Sequence, residues 1–214
     1  FDITSDARGA LTGADYIITT IRAGGDAGRL FDEKTCLAHG VLGQETTGAG
    51  GFAMAIRSVP TLVYYCTLAR EVSNPGHLIF NFTNPSGIIT QALRSCGFAN
   101  VYGICDAPSG FIKQLEEILN VPYGALDIEC YGLNHLSWFR NAKLDGRDVQ
   151  EELLNNPRTY QHSEMRLFTR EMARLSGECM LNEYLYFYYR REKSLSMVQK
   201  AEHPRGEMIY LINR

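Results

Sequence analysis

The chain of 214 residues has no CxxC pair and no dense cysteine framework; its six cysteines stand far apart, at positions 36, 66, 96, 105, 130 and 179. This spacing excludes a disulfide-stapled secreted scaffold and fits reduced thiols in a cytoplasm. Charge of one sign is also scarce. With 21 basic against 24 acidic residues the formal net charge is −3, and no basic run is interleaved with aromatics, so no nucleic acid partner is expected. No apolar run approaches membrane-spanning length and no charged-then-apolar signal peptide opens the chain, which argues against a membrane partner. Internal repeats and low-complexity tracts are missing. The chain starts at Phe1 without an initiator Met and reads as cut from a longer one. At 45% hydrophobic residues it can still bury a sizeable core, in one domain or a domain plus an appendage.

The pattern that is present points to a parallel α/β sheet. Tyr16-Ile17-Ile18-Thr19-Thr20-Ile21 is a short apolar, β-branched run of the kind that forms a buried parallel strand, and His77 to Thr83 and Asn100 to Cys105 follow the same logic. Stretches of helical length and character, Ser58 to Val72, Ser86 to Cys96 and Ser109 to Asn120, alternate with them. Ligands of such sheets sit beyond the carboxyl ends of the strands. Those ends are Thr19 to Gly25, Thr83 to Gly87 and Cys105 to Pro108, where polar residues and glycines gather. After Asn120 the pattern changes. Ala125 to Tyr131 alternates like a strand, Trp138 to Val149 carries a Leu144-Asp145-Gly146-Arg147 hairpin turn, and the chain beyond Gln150 reads as mostly helical. Glu178 to Arg191 is crowded with tyrosines at 184, 186, 188 and 189, most of which are expected to be packing.

One constellation carries chemistry. Cys105-Asp106 ends an apolar run, and His135 follows thirty residues on, in Gly132-Leu133-Asn134-His135. A thiolate and an imidazole suit a borderline transition metal, and the adjacent carboxylate can give or take a proton. Alone the pairing is weak, because free cysteines are commonly small buried hydrophobes and lone histidines satisfied polar residues.

Further motifs join it. Gly13-Ala14-Asp15, ahead of the Tyr16 run, and Thr83-Asn84-Pro85, closing the His77 run, resemble the latter half of the lactate and malate dehydrogenase fold. Together with Arg22-x-Gly-Gly, Asp32-Glu33-Lys34, Gly43-Gln44-Glu45-Thr46, Gly50-Gly51, Arg57-Ser58, Cys105-Asp106 and Asn134-His135, they resemble the family four glycoside hydrolases, NAD-dependent glycosidases related to those dehydrogenases. The resemblance runs in register from about Leu11 to Arg205. It implies the second half of a Rossmann-like sheet followed by part of an α+β substrate domain, divided as 1–107 for NAD and 108–214 for substrate and metal. The glycine-rich first βαβ unit and the C-terminal half of the substrate domain are expected to lie outside the chain, which puts activity of this stretch alone in doubt.

The resemblance also implies a mechanism and roles. A glycosidic bond can be cleaved without a carboxylate pair if NAD first removes hydride from C3 of the sugar, because the ketone acidifies the C2 proton and elimination follows. Cys105 and His135 would hold a Mn²⁺-like ion against the C2 and C3 oxygens. Asp106 aligns with the acid that protonates the leaving oxygen in 6-phospho-α-glucosidases, whereas the β enzymes tend to carry Asn and the galactosidase-like ones His. Tyr184 aligns with the C2 base, with Tyr186 and Tyr188 as rivals and Glu45 as acidic helper. Arg22, Arg29 and Arg205 match sugar and 6-phosphate positions, Asn84 would bond sugar hydroxyls, and Thr20 would face the cofactor. The expectation is an NAD- and Mn²⁺-dependent 6-phospho-glucosidase, α-linked substrates favoured, cytoplasmic and homo-oligomeric at full length, acting on a phosphorylated disaccharide or glucoside. The alternatives are a 6-phospho-β-glucosidase, a 2-hydroxy-acid dehydrogenase indifferent to chelation, and an inactive interaction remnant.

Overall fold

The computed structural model describes residues 2–214. In chain order the elements are α1 (Ala7–Leu11), β1 (Tyr16–Thr19), α2 (Gly25–Ala38), α3 (Gly48–Val72), β2 (Leu78–Asn81), α4 (Ser86–Ser95), β3 (Val101–Gly103), α5 (Ala107–Leu119), β4 (Leu126–Leu133), β5 (Leu136–Leu144), β6 (Arg147–Asp148), α6 (Gln150–Asn155), α7 (Thr159–His162), a 3₁₀ turn (Glu164–Leu167), α8 (Arg170–Leu175), β7 (Met180–Leu181), α9 (Leu185–Tyr189), α10 (Arg191–Lys200) and α11 (Arg205–Ile212). The backbone divides into two compact units, Phe1–Ile104 with Leu195–Arg214, and Cys105–Ser194. The last twenty residues, expected with the second domain, therefore group with the first unit.

In the first unit β1, β2 and β3 form a parallel sheet in that order. Alternation along the strands decides what each face meets. Ile79 and Val101 point into a core built with Leu62, Cys66 and Ala69 of α3 and Ile89 and Leu93 of α4, where each fully buried aliphatic side chain contributes ~1.5–3 kcal/mol. Tyr16, Ile18, Phe80 and Tyr102 alternate onto the opposite face, and Tyr16 remains 73% exposed. Strands of this kind are expected to be buried on both faces. The core helices lie against one face alone, so the opposite side is an exposed aromatic ladder, Tyr16 against Phe80 at 6.5 Å and Phe80 against Tyr102 at 6.2 Å.

Two helices depart from the sequence reading. Residues 25–38, to which the sequence reading assigned no helix, form α2, whose buried residues are the charged Arg29, Asp32 and Glu33 rather than an apolar stripe. A helix that buries ion pairs carries no hydrophobic period to recognise. The next helix, α3, begins at Gly48, ten residues before the expected Ser58, and is long and apolar enough by length and composition to cross a bilayer, contrary to expectation. Its inward positions Met54, Leu62, Cys66 and Ala69 are nearly inaccessible.

In the second unit the helix α5 presents Phe111, Leu115 and Ile118, one face at helical spacing, to a core shared with Phe139, Leu153, Met165, Met180 and Leu185. Phe111 meets Phe139 edge-on at 4.8 Å. β4 and β5 pair as one long antiparallel hairpin closed by Asn134 and His135, so Gly132 to Ser137 lies within it rather than between two separate strands. The Asp145-Gly146 turn forms as expected, both residues left-handed at φ +49° and +79°, a pair of angles that suits Asp-Gly. The tyrosine-rich stretch is not a single helix. It is broken into β7, α9 and α10.

Candidate functional site

Within the second unit the predicted metal and acid–base residues converge. Cys105 precedes α5 and Asp106 is the N-cap residue of that helix, exposed and without a side-chain cap bond. His135 is carried by the hairpin loop in the left-handed region, at φ +59°. A β-carbon there costs about 1–2 kcal/mol, the kind of strain that persists where surrounding structure holds a side chain in place. Cys105 Sγ and His135 Nε2 lie 3.5 Å apart. Two ligand bonds of typical Zn–S and Zn–N length meeting near the tetrahedral angle span about 3.6 Å, so the pair fits one borderline divalent ion. No group of three or more His, Cys, Asp or Glu joins them among the described residues, leaving further positions to water or substrate oxygen. Burial pushes the Cys105 thiol up, partly opposed by hydrogen bonds from the Ala107 and Asp106 amides and the Asn134 side chain. Binding a metal would displace its proton.

Of the rival tyrosines, Tyr184 alone reaches this place. Its ring, 7% exposed, stacks on His135 at 4.7 Å and 22°, with Phe187 stacked on it at 5.0 Å. Tyr186 packs edge-on against Phe168, in the core, and Tyr188 is 56% exposed. Asp106 also opens onto a shallow cleft with Ser109, Gly110, Lys113 and Tyr123.

In the first unit two of the arginine candidates, Arg22 and Arg29, form a charged cluster. Glu45 accepts from Arg22 Nε at 3.0 Å and pairs with Arg29 Nη1 at 2.9 Å, while Arg22 also pairs with Asp26. Arg29 donates its Nε to Glu33 Oε1 at 2.9 Å, and Glu33 Oε2 accepts the Gly206 amide at 2.7 Å. A β-carbon on Gly206 would stand 2.6 Å from that oxygen, so any larger residue after Arg205 would displace the Glu33 carboxylate that bonds this amide, where α11 packs on α2. Arg29 is 3% exposed with both partners buried; Arg205, at the start of α11, is exposed. Thr20 and Asn84 stand beyond the ends of β1 and β2, where Asn81 accepts from Thr19 Oγ1 at 2.9 Å and Thr83 Oγ1 accepts the Ile21 amide at 3.0 Å. Thr20 lines a cavity of about 460 Å³ with Leu11, Ile17, Leu62 and Ile79, and an apolar wall with hydroxyls at a strand end fits part of a nucleotide cofactor.

Sequence reasoning missed Glu164, which no motif marks, and gave no role to Asn182, which stands two residues before Tyr184; only the fold brings the two together. Glu164 Oε2 accepts from Asn182 Nδ2 at 2.8 Å and from the Glu183 amide at 3.0 Å. Burial raises its carboxyl from 4.5 to about 7. Between those values the folded chain holds a proton that the unfolded chain has released, so stability falls as pH rises from about 4.5 to about 7 and is then flat, by at most about 3 kcal/mol. Glu164→Gln should abolish that slope. Urea unfolding of both proteins across this range checks it, and parallel curves would show that the carboxyl does not titrate there.

Comparison with known proteins identifies the family. Residues 1–121 match the model of the family 4 glycosyl hydrolases and residues 130–213 that of the family 4 glycosyl hydrolase C-terminal domain. The 6-phospho-β-glucosidase BglT of Thermotoga maritima is 39% identical over 155 residues, covering 72% of this chain and 37% of BglT. The solved Thermotoga maritima 6-phospho-β-glucosidase with manganese, NAD⁺ and glucose-6-phosphate superposes with a TM-score of 0.86 at 32% identity, over 98% of this chain and 50% of that one. A 6-phospho-α-glucosidase from gut microorganisms, in complex with NAD and Mn²⁺, gives a TM-score of 0.86 at 27% identity, over 97% and 51%. The chain thus spans about half the length of these solved structures, with their Rossmann-like parallel sheet, and it belongs to glycosyl hydrolase family 4.

Proposed function

We propose that this chain carries the metal site, acid and base of an NAD- and divalent-metal-dependent 6-phospho-glucosidase, acting in the cytoplasm on a phosphorylated disaccharide or glucoside as a homo-oligomer at full length. The observation that carries the reading is the meeting of Cys105, His135 and the Tyr184 ring within one unit. When bound, NAD would take hydride from C3 and the divalent ion would polarise the neighbouring sugar oxygens. Cys105 and His135 hold the ion. Tyr184 removes the C2 proton and Asp106 gives one to the leaving oxygen, while Thr20 and Asn84 position cofactor and sugar hydroxyls. Family membership favours this over a 2-hydroxy-acid dehydrogenase. Asp106 favours an α bond; the similarity to BglT supports the β alternative.

Arg205 is the arginine best placed for the 6-phosphate, since it is exposed while Arg29 already serves two carboxylates. Losing one charge-assisted hydrogen bond of roughly 1.5–3 kcal/mol should raise KM about 10- to 150-fold in Arg205→Ala. Arg29→Ala should instead lower stability by about 3–5 kcal/mol, because Glu33 and Glu45 are left buried and underpaired. Hydrolysis of α- and β-linked nitrophenyl glucoside 6-phosphates by the full-length protein, with NAD and Mn²⁺ omitted in turn, tests the whole reading. Preference for the unphosphorylated glycoside would remove the phosphate assignment, and turnover without NAD would remove the mechanism.

A further inference from the structure

Tyr184 does not sit on a regular element that would fix its direction. It is the residue before α9, and the segment Asn182-Glu183-Tyr184 leaves β7 as an irregular turn. A base that must reach a C–H bond needs its oxygen placed within a fraction of an ångström, so something must hold this turn. Asn182 is the hub. Its backbone amide donates to Ser137 O at 3.0 Å, tying it to β5 two residues from His135, and its Oδ1 accepts the Tyr184 amide at 3.2 Å. With 1% exposure, Asn182 has little water to satisfy its side-chain amide, and that group donates to Glu164.

We propose that Glu164 is a positioning residue for Tyr184, setting through Asn182 and the Glu183 amide the turn that presents the tyrosine ring beside His135. One carboxylate oxygen collects both donors, so a single side chain fixes the orientation of the Asn182 amide and the direction of the backbone entering Tyr184. Glu164 is itself held from behind, its backbone amide donating to Gln114 on α5 at 2.9 Å. Arg166 pairs with Glu183 at 2.9 Å rather than with Glu164, leaving the half-buried Glu164 carboxyl to the turn. Burial lifts its proton affinity, which accords with a carboxyl kept for its geometry in a poorly hydrated place. The role assigned to Tyr184 rests on the proposed function; the positioning itself does not.

The test therefore has two arms. In this chain labelled with ¹³C-ring tyrosine, the Tyr184 signal is identified by its loss in Tyr184→Phe. In Glu164→Leu it should move towards the position of an unstacked ring, and in Glu164→Gln it should stay, because the glutamine oxygen accepts the same two donors. In the full-length protein supplied with NAD, Mn²⁺ and a 6-phosphoglucoside, exchange of the C2 hydrogen with solvent should fall roughly 10- to 100-fold in Glu164→Leu with KM unchanged, and Glu164→Gln should restore most of it. Glu164→Asp, shorter by one methylene, supplies an intermediate loss and serves where the leucine variant does not fold. An unmoved Tyr184 signal in Glu164→Leu, wild-type exchange in Glu164→Asp, or a loss expressed in KM alone would each overturn the proposal. A moved signal in a protein whose wild type shows no C2 exchange would uphold the positioning and overturn the functional reading instead.

Discussion

Cys105→Ala and His135→Gly are expected to abolish divalent metal binding while leaving the second unit folded. In the unsubstituted chain, Mn²⁺ at a hundred times its dissociation constant should add about 2.7 kcal/mol of stability, and neither variant should show any such rise. The two substitutions differ in what else they change. Cys105 is half-buried, so its loss removes a ligand and little packing. At position 135 glycine relieves a left-handed β-carbon worth about 1–2 kcal/mol and forfeits a stacked ring contact worth about 0.5–1.5 kcal/mol, so the net change in stability should lie between a loss of about 0.5 and a gain of about 1.5 kcal/mol. His135→Ala keeps the strained backbone and loses the ring, and should be the less stable of the two. Thermal or urea melts with and without Mn²⁺ read both effects at once. An undiminished Mn²⁺-induced rise in Cys105→Ala would show that the ion binds elsewhere.

Tyr184→Phe should reduce turnover of the full-length protein by about 10²–10⁴-fold, the usual scale for losing a general base, on every substrate irrespective of its leaving group. The substitution keeps the ring between His135 and Phe187 and deletes only the hydroxyl, so the loss should fall on kcat rather than on KM. Asp106→Asn is expected to behave differently: an activated nitrophenol departs without protonation, so the variant should keep much of its rate on that substrate and fail on a sugar leaving group. Solvent exchange at C2 should accordingly persist in Asp106→Asn and vanish in Tyr184→Phe. Tyr186→Phe and Tyr188→Phe should have small effects, one ring packing against the core at Phe168 and the other 56% exposed. Exchange that survives in Tyr184→Phe but is lost in either of these would reassign the base.

Much of the fold is legible without coordinates because β-branched runs and helical faces are local signals. The three parallel strands fall where the apolar runs predict them, and the Asp145-Gly146 turn forms because those two residues tolerate the left-handed angles a tight hairpin needs. The helix α2 is illegible for the opposite reason: its inward face is Arg29, Asp32 and Glu33, and buried charge has no hydrophobic period. Arg29 shows the same limit at the level of function. A motif places an arginine among sugar-binding positions, but whether it faces a ligand or braces a cluster depends on Glu33 and Glu45, whose positions only the folded chain sets.

The sequence by itself determined the class of the sheet, the family and the candidate chemistry, since strand and helix periods, the Cys105-Asp106 pair, the histidine that follows and the GQET and TNP motifs are all written in short stretches of residue identity. Tertiary structure alone decided which groups meet. It brought Cys105 Sγ to 3.5 Å from His135 Nε2 through a hairpin loop, chose Tyr184 from its neighbours by stacking it on that histidine, placed Glu164 beneath the turn that carries it, and returned Gly206 to Glu33. These contacts join residues from 19 to 173 positions apart, and no local propensity encodes them. They follow from packing two cores and from the cost of leaving buried polar groups unpaired, which is settled only when the whole chain closes around them.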